Sequence, residues 1–342
     1  MYDVIIIGAG PAGCCAARTL AKAGRNVLLV EKFSLPRYKS CSGVLISKAM
    51  ELTERYFGEH VPDLATCSPA ENRGMIFTND KGKEYRFEQP GCNVWRSEYD
   101  NWLAEKAKEA GAEIRCKTAA VDCTQFSDYL EVTLNGDNKM YTEKTLYVLD
   151  CEGVVGAFKR RITNGSREYI TTYQTFNDGT IDLDPHYFYA FLQPELSEYD
   201  AWFNVKGDRL VLGVSVRDPR KIPVYHAKFL DYMRERHGLS ITRQIKWEKW
   251  LMPHIRKDFS IDCSIGSVFF AGEIAGFLNP MGEGITAALE SGYLAAKALC
   301  SDDPNQAADD YKASIEPLRV YMARQWAFVE SIVDVDLRKT GK

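Results

Sequence analysis

Hydrophobic residues cluster along this chain in two registers. Residues 3–7 are apolar and β-branched without alternation, the pattern of a parallel strand buried on both faces. A glycine-rich turn follows, Gly8-Ala9-Gly10-Pro11-Ala12-Gly13. Residues 14–23 then read as a helix with small residues on one face, broken at Gly24 before a second apolar strand at 26–30. Further apolar strands are predicted at 113–121, 146–150 and 267–271, and a helix-like run of Ala and Leu covers 286–299. The middle of the chain changes period: 169–176, 187–192, 201–205 and 209–216 read as antiparallel strands, with Lys206-Gly207-Asp208 closing a hairpin. Residues 304–337 read as helical, with Trp326, Phe328, Ile332 and Val333 packing inward; the mixed polar face gives no indication of membrane-surface contact.

Composition narrows the function classes. A length of 342 residues suggests two domains, or one large domain with an inserted lobe. Forty-three basic against 47 acidic side chains give a net charge of −4, which offers no electrostatic footprint for nucleic acid. No run approaches the roughly 18 to 20 apolar residues of a membrane-spanning helix. The ten cysteines include no Cys-x-x-Cys pair, so no metal site is expected. The start, Met1-Tyr2-Asp3-Val4, runs straight into a strand without the features of a signal peptide, and free thiols in the cytoplasm are the expectation.

The first turn carries the clearest chemistry. Gly8 permits the tight turn, Gly10 lets a pyrophosphate approach the backbone, and Gly13 lets the helix pack on the sheet, with Ala12 between them at the helix start. The helix N-terminus offers unpaired N–H groups to phosphate. Glu31 ends the second strand, where a carboxylate accepts ribose hydroxyls, and Lys32 stands beside it. These residues predict a dinucleotide site without choosing between NAD and FAD.

Other segments make that choice by resemblance. The strand at 267–271, the loop Gly272-Glu273 to Gly284-Ile285 and the following helix resemble the ribityl- and isoalloxazine-binding segment of FAD-dependent oxidoreductases of the glutathione-reductase-like class, with Glu273 where Asp is usual. The resemblance places the backbone of Gly284 and Ile285 at the flavin. The stretch Pro36-Arg37-Tyr38-Lys39-Ser40-Cys41-Ser42-Gly43 resembles the Pro-Arg-x-Lys-x-Cys-Gly-Gly stretch of the geranylgeranyl reductase family, with Ser42 for the first glycine. It implies Cys41, Ser42 and Gly43 beside the flavin, with Arg37 and Lys39 favouring a thiolate. In the segment Arg96 to Leu103, which resembles the family's Arg-x-x-Phe-Asp-x-x-Leu, Arg96 is expected to reach the FAD and Asp100 to cap or orient the helix; Ala120 is expected at the adenine edge. Tyr199-Asp200-Ala201-Trp202-Phe203-Asn204-Val205 resembles the family's Tyr-x-Trp-x-Phe-Pro signature with its end replaced. Phe188, Phe191, Trp202 and Phe203 are therefore read either as the lining of an apolar substrate pocket or as sheet core.

The fold implied is α/β: a Rossmann-like FAD-binding domain of discontinuous segments (1–75, 96–165, 255–300), an inserted antiparallel-sheet substrate domain (76–95, 166–254) and a C-terminal helical segment (301–342). The activity implied is reduction of carbon–carbon double bonds of an apolar, isoprenoid-like or lipid substrate by hydride transfer from reduced flavin, with Cys41 and Tyr38 in the proton-donor neighbourhood. A single dinucleotide motif leaves the reductant, NAD(P)H or ferredoxin, as a visitor. The alternatives are a monooxygenase of the same fold and a redox carrier with no organic substrate.

Overall fold

The fold is taken from a computed structural model that describes residues 1–165, 168–255, 258–280 and 282–333. The expected start of the substrate domain at 166–167 and the end of the expected C-terminal helix, 334–337, lie outside the described residues. In chain order the elements are β1 (Tyr2–Ile7), α1 (Pro11–Lys22), β2 (Val27–Val30), β3 (Val44–Ile46), α2 (Ser47–Phe57), β4 (Thr66–Thr78), β5 (Glu84–Val94), α3 (Arg96–Glu109), β6 (Glu113–Arg115), β7 (Thr118–Gln125), β8 (Leu130–Gly136), β9 (Lys139–Asp150), α4 (Ala157–Thr163), β10 (Tyr169–Thr180), β11 (Tyr187–Phe191), β12 (Ala201–Lys206), β13 (Arg209–Val216), α5 (Ile222–His237), β14 (Ser240–Pro253), β15 (Ser264–Ile265), β16 (Val268–Phe270), α6 (Ile285–Ala298), α7 (Pro304–Ser314) and α8 (Glu316–Ile332).

One sheet is built around β1, which pairs in parallel with β2 and β9; β6 and β16 extend it in parallel, and β8 and β7 join as antiparallel hairpins. Val4, Ile5 and Ile6 are fully buried because helices cover both faces, as the unbroken apolar run requires. Close helix packing depends on small residues: a methyl group at Gly292 of α6 would lie 2.3 Å from the Ala12 carbonyl oxygen of α1.

The other sheet runs β14-β10-β13-β12-β11-β4-β5-β3, antiparallel except where β11 meets β4. Both β3 and the first part of β4 belong to it, although they fall within the range expected for the dinucleotide domain. Its period-two alternation divides the side chains cleanly. Tyr189, Phe191, Phe203, Leu212 and Val214 pack with Phe229 and Met233 of α5 on one face. Phe188, Trp202, Gln174 and Ser215 face a cavity on the other.

Candidate active site

The cavity, about 1030 Å³, lies between the two sheets and is roofed in part by α8. Its first end is the glycine turn. Gly8 has φ +99°, and a methyl group there would meet the Cys151 carbonyl oxygen at 2.7 Å; at Gly13 it would lie 2.0 Å from the Gly8 carbonyl oxygen. At Gly10 the nearest atom is 3.7 Å away, the tip of the Arg37 side chain, so this backbone stays open. No side chain caps α1 at Gly10, and Gly8, Gly10 and Ala12 line the cavity while Gly13 packs beneath it. An open backbone cradle at an uncapped helix N-terminus suits a pyrophosphate.

Beyond the turn, Glu31 Oε2 accepts the Ala9 N–H at 3.1 Å and Arg37 Nε at 3.0 Å, while Oε1 accepts the Phe33 N–H at 3.1 Å. Lys32 lines the same end, with Nζ 5.2 Å from the Phe33 ring centroid. Thr118, Ala119, Ala120 and Val121 form the wall past Glu31, where an adenine edge is expected.

Asp100 does not cap its helix. It is fully buried and serves as counterion to two arginines: Arg96 donates from Nε and Nη2 at 2.7 and 2.9 Å, and Arg37 from Nη1 at 2.9 Å. The reason is reach, because the Asp100 side chain lies one helical turn inside α3, on the face toward the 33–43 loop. Arg37 is thereby committed to Glu31, Asp100 and the Ala9 carbonyl, at 3.1 Å, and is not what favours a Cys41 thiolate. Burial pushes the Cys41 thiol up, but Arg96, Lys206, the Gly43 N–H and Lys39 outweigh it and hold the thiol below its ordinary value. The Gly43 N–H lies 3.4 Å from Sγ, and Lys206 Nζ donates to the Cys41 carbonyl at 2.8 Å. Lys206 escapes a reading of the sequence because it sits in what looks only like a hairpin turn; its Nζ stacks 4.8 Å from the Trp95 ring centroid.

Cys41 and Ser42 line the cavity; Gly43, at φ +77°, turns the chain behind them. Tyr38 also lines it, but its hydroxyl is bound to Glu248, which also accepts from Ser40 at 2.9 Å and Gln174 at 2.8 Å. Burial and the Glu248 bond push the Tyr38 phenol well up, so Cys41 is the better acid of the two.

Gly272, Glu273, Gly284 and Ile285 line the middle of the cavity. The N-terminus of α6 is occupied by Glu283, whose Oε1 accepts from the Thr286 N–H at 2.8 Å and hydroxyl at 3.0 Å, and burial pushes that carboxyl up. The Trp326 indole N–H donates to the Leu278 carbonyl at 2.9 Å and ties α8 to this loop.

At the far end Phe188 and Trp202 line the cavity with Met75, Phe77, Phe87 and Phe328. The Trp202 indole lies over Gly213, where a methyl group would come within 2.1 Å of it. Phe191 and Phe203 do not reach the cavity. They occupy the opposite parity of their strands, and Phe191 packs 5.4 Å from the Phe229 ring, Phe203 5.8 Å from Tyr189. The spacing Tyr-x-Trp also falls differently: two positions before Trp202 stands Asp200, which lines the cavity, whereas Tyr199 is buried against Trp326. Among the described residues no cluster of three metal-ligating side chains occurs, and no helix is long and apolar enough to cross a membrane.

The family model of the FAD binding domain matches residues 1–245. Proteins named digeranylgeranylglycerophospholipid reductase from Methanocaldococcus jannaschii and Methanosarcina acetivorans are each 26% identical to this chain, over 87% and 95% of it and 76% and 80% of their own lengths. The crystal structure of a geranylgeranyl bacteriochlorophyll reductase-like protein from Thermoplasma acidophilum shares the fold, with a TM-score of 0.82, 19% identity, and coverage of 98% of this chain and 88% of that one. The pyrophosphate cradle, the Glu31 carboxylate and the loop before α6 fit FAD, and the chain belongs to the FAD binding domain family as an FAD-dependent oxidoreductase of the geranylgeranyl reductase type.

Proposed function

We propose that this chain reduces carbon–carbon double bonds in an apolar, isoprenoid-like substrate. The observation that carries the reading is one continuous cavity that joins the dinucleotide turn to a wall of Met75, Phe77, Phe188 and Trp202. The names of the two archaeal relatives supply the substrate class.

Bound FAD supplies the two-electron chemistry, its reduced form giving up a hydride. The protein then has three tasks. Gly8, Gly10, Ala12, Gly13, Glu31, Lys32 and Ala120 hold the adenosine and pyrophosphate, while Ser42, Gly43, Glu273, Gly284 and Ile285 hold the flavin end. Phe188 and Trp202 hold the substrate and exclude water. Cys41 gives a proton to the carbon that does not take the hydride, and Arg96 and Lys206 stabilise the thiolate left behind. Each turnover thus adds a hydride and a proton across one double bond and oxidises the flavin, which NAD(P)H or ferredoxin reduces again from outside. Tyr38, fixed to Glu248, positions the 33–43 loop against β14.

The test is anaerobic. Chemically reduced enzyme mixed with a prenyl substrate is expected to return product with two added hydrogens per bond reduced, and Cys41→Ala to slow that step about 100-fold or more. A product that instead carries oxygen, formed only in air, identifies a monooxygenase.

A further inference from the structure

Across the cavity floor four neighbouring strand positions present polar side chains at one level. Ser215 on β13 is paired with Thr172 on β10, and Thr172 with Trp250 on β14. The Ser215 N–H donates at 2.8 Å to the carbonyl of Asp200, the residue just before β12. All four line the cavity. Directly paired residues stand on the same face of a sheet, so the four form a band, one pleat step from the level of Trp202, Gly213 and Gln174.

Three atoms of the band, Asp200 Oδ1, Ser215 Oγ and Trp250 Nε1, are buried and have no hydrogen-bond partner among the described residues. Proteins satisfy the large majority of such atoms, and three in one row point to a ligand. An all-hydrocarbon ligand would leave them as they are. The row offers an acceptor at Asp200, a donor at the Trp250 indole and hydroxyls of either sense between them. No cation bears on Asp200, whose carboxyl burial pushes up to about 6 against a weaker pull from Ser215. Lys39 serves the indole instead, with Nζ 4.6 Å from the Trp250 ring centroid.

We propose that this band is the subsite for an uncharged hydroxyl on the substrate, which makes the substrate an isoprenoid-type alcohol rather than a hydrocarbon or a phosphate ester. The proposal rests on the reading of this cavity as the site of an apolar substrate. A hydroxyl donates to Asp200 while accepting from Ser215 or Trp250. A phosphate would set its charge against the Asp200 carboxylate, and a hydrocarbon would leave all three atoms unpaired.

Binding to the oxidised, FAD-loaded protein tests this without turnover. Farnesol, the hydrocarbon farnesene and farnesyl monophosphate are titrated in turn, followed by tryptophan fluorescence and flavin absorbance. Farnesol is expected to bind about tenfold or more tighter than either competitor. Asp200→Leu should bring the preference over farnesene to within about threefold, whereas Asp200→Asn, which keeps an acceptor, should retain most of it. Ser215→Ala gives a second variant, with a smaller loss of the same sign. Equal or tighter binding of farnesene or the phosphate overturns the proposal, as does a farnesol preference unchanged in Asp200→Leu or, should that variant fail to fold, in Ser215→Ala. If farnesol is preferred through Asp200 but no double bond is ever reduced, the subsite stands and the reductase reading fails.

Discussion

Single side chains carry most of the electrostatics of this site. Cys41 differs from the buried Cys14, Cys15 and Cys151, whose thiols burial drives up, because Arg96 and Lys206 act on it from two elements. Peptide-resolved alkylation over a pH series should find Cys41 reacting with a midpoint below the ordinary 9.0 and ahead of those three. Lys206→Met is expected to raise that midpoint and Lys206→Arg to preserve it. A midpoint unmoved by Lys206→Met would remove the lysine from the account. Asp200 makes a second prediction. Its folded pKa of about 6 lies above the ordinary 3.8, so folding favours the protonated form. The stability from that preference is complete below about pH 4 and is lost as pH rises through about 6. Asp200→Asn should therefore raise the melting temperature at pH 8, by the equivalent of at most about 3 kcal/mol, and have far less effect at pH 4. Equal effects at both pH values would contradict the shift.

Elements decide which of these side chains meet. Helix α6 presses Gly292 against the first turn of α1, and Gly292→Ala should cost about 1–3 kcal/mol in urea unfolding and loosen FAD. Strand parity separates function from packing in the second sheet. Phe203→Ala should lower stability by about 3–5 kcal/mol, whereas Trp202→Ala should act chiefly on substrate KM, measured by steady-state turnover. This contrast also marks how far the sequence reaches. The turn from β1 through α1 to Glu31 is legible because its partners are local and each glycine has a steric task. The alternation along β11 and β12 is equally plain, but it defines two faces without saying which one α5 covers. Helix α5 itself has a faint signal, since only Ile222, Phe229 and Met233 are buried in it. Asp100 reads as a cap and Lys206 as a turn residue because their partners, Arg37 and Cys41, are far away along the chain. Such pairings are fixed by tertiary placement alone.

At the scale of the molecule, two sheets are arranged around one cavity whose lining comes from nearly the whole chain, from Ile7 to Val329. FAD bound across it should stabilise the fold as a whole: at a free concentration about 100 times Kd, linkage predicts about 2.7 kcal/mol, visible as a higher melting temperature for the loaded protein. An unchanged melting temperature on adding FAD to stripped protein would count against the cavity as its site. Helix α8 closes the mouth with Tyr321, Arg324 and Phe328, and its Trp326 anchor joins that closure to the flavin loop. The central claim is that electrons pass in this cavity to a carbon–carbon double bond. The most direct measurement is a single turnover without oxygen, in which reduced enzyme is mixed with a prenyl alcohol while flavin absorbance and product mass are followed together. The account predicts reoxidation of the flavin that depends on the alcohol, with product gaining two hydrogens for each flavin oxidised. Flavin that stays reduced until oxygen is admitted, with the alcohol recovered unchanged or oxygenated, would contradict it.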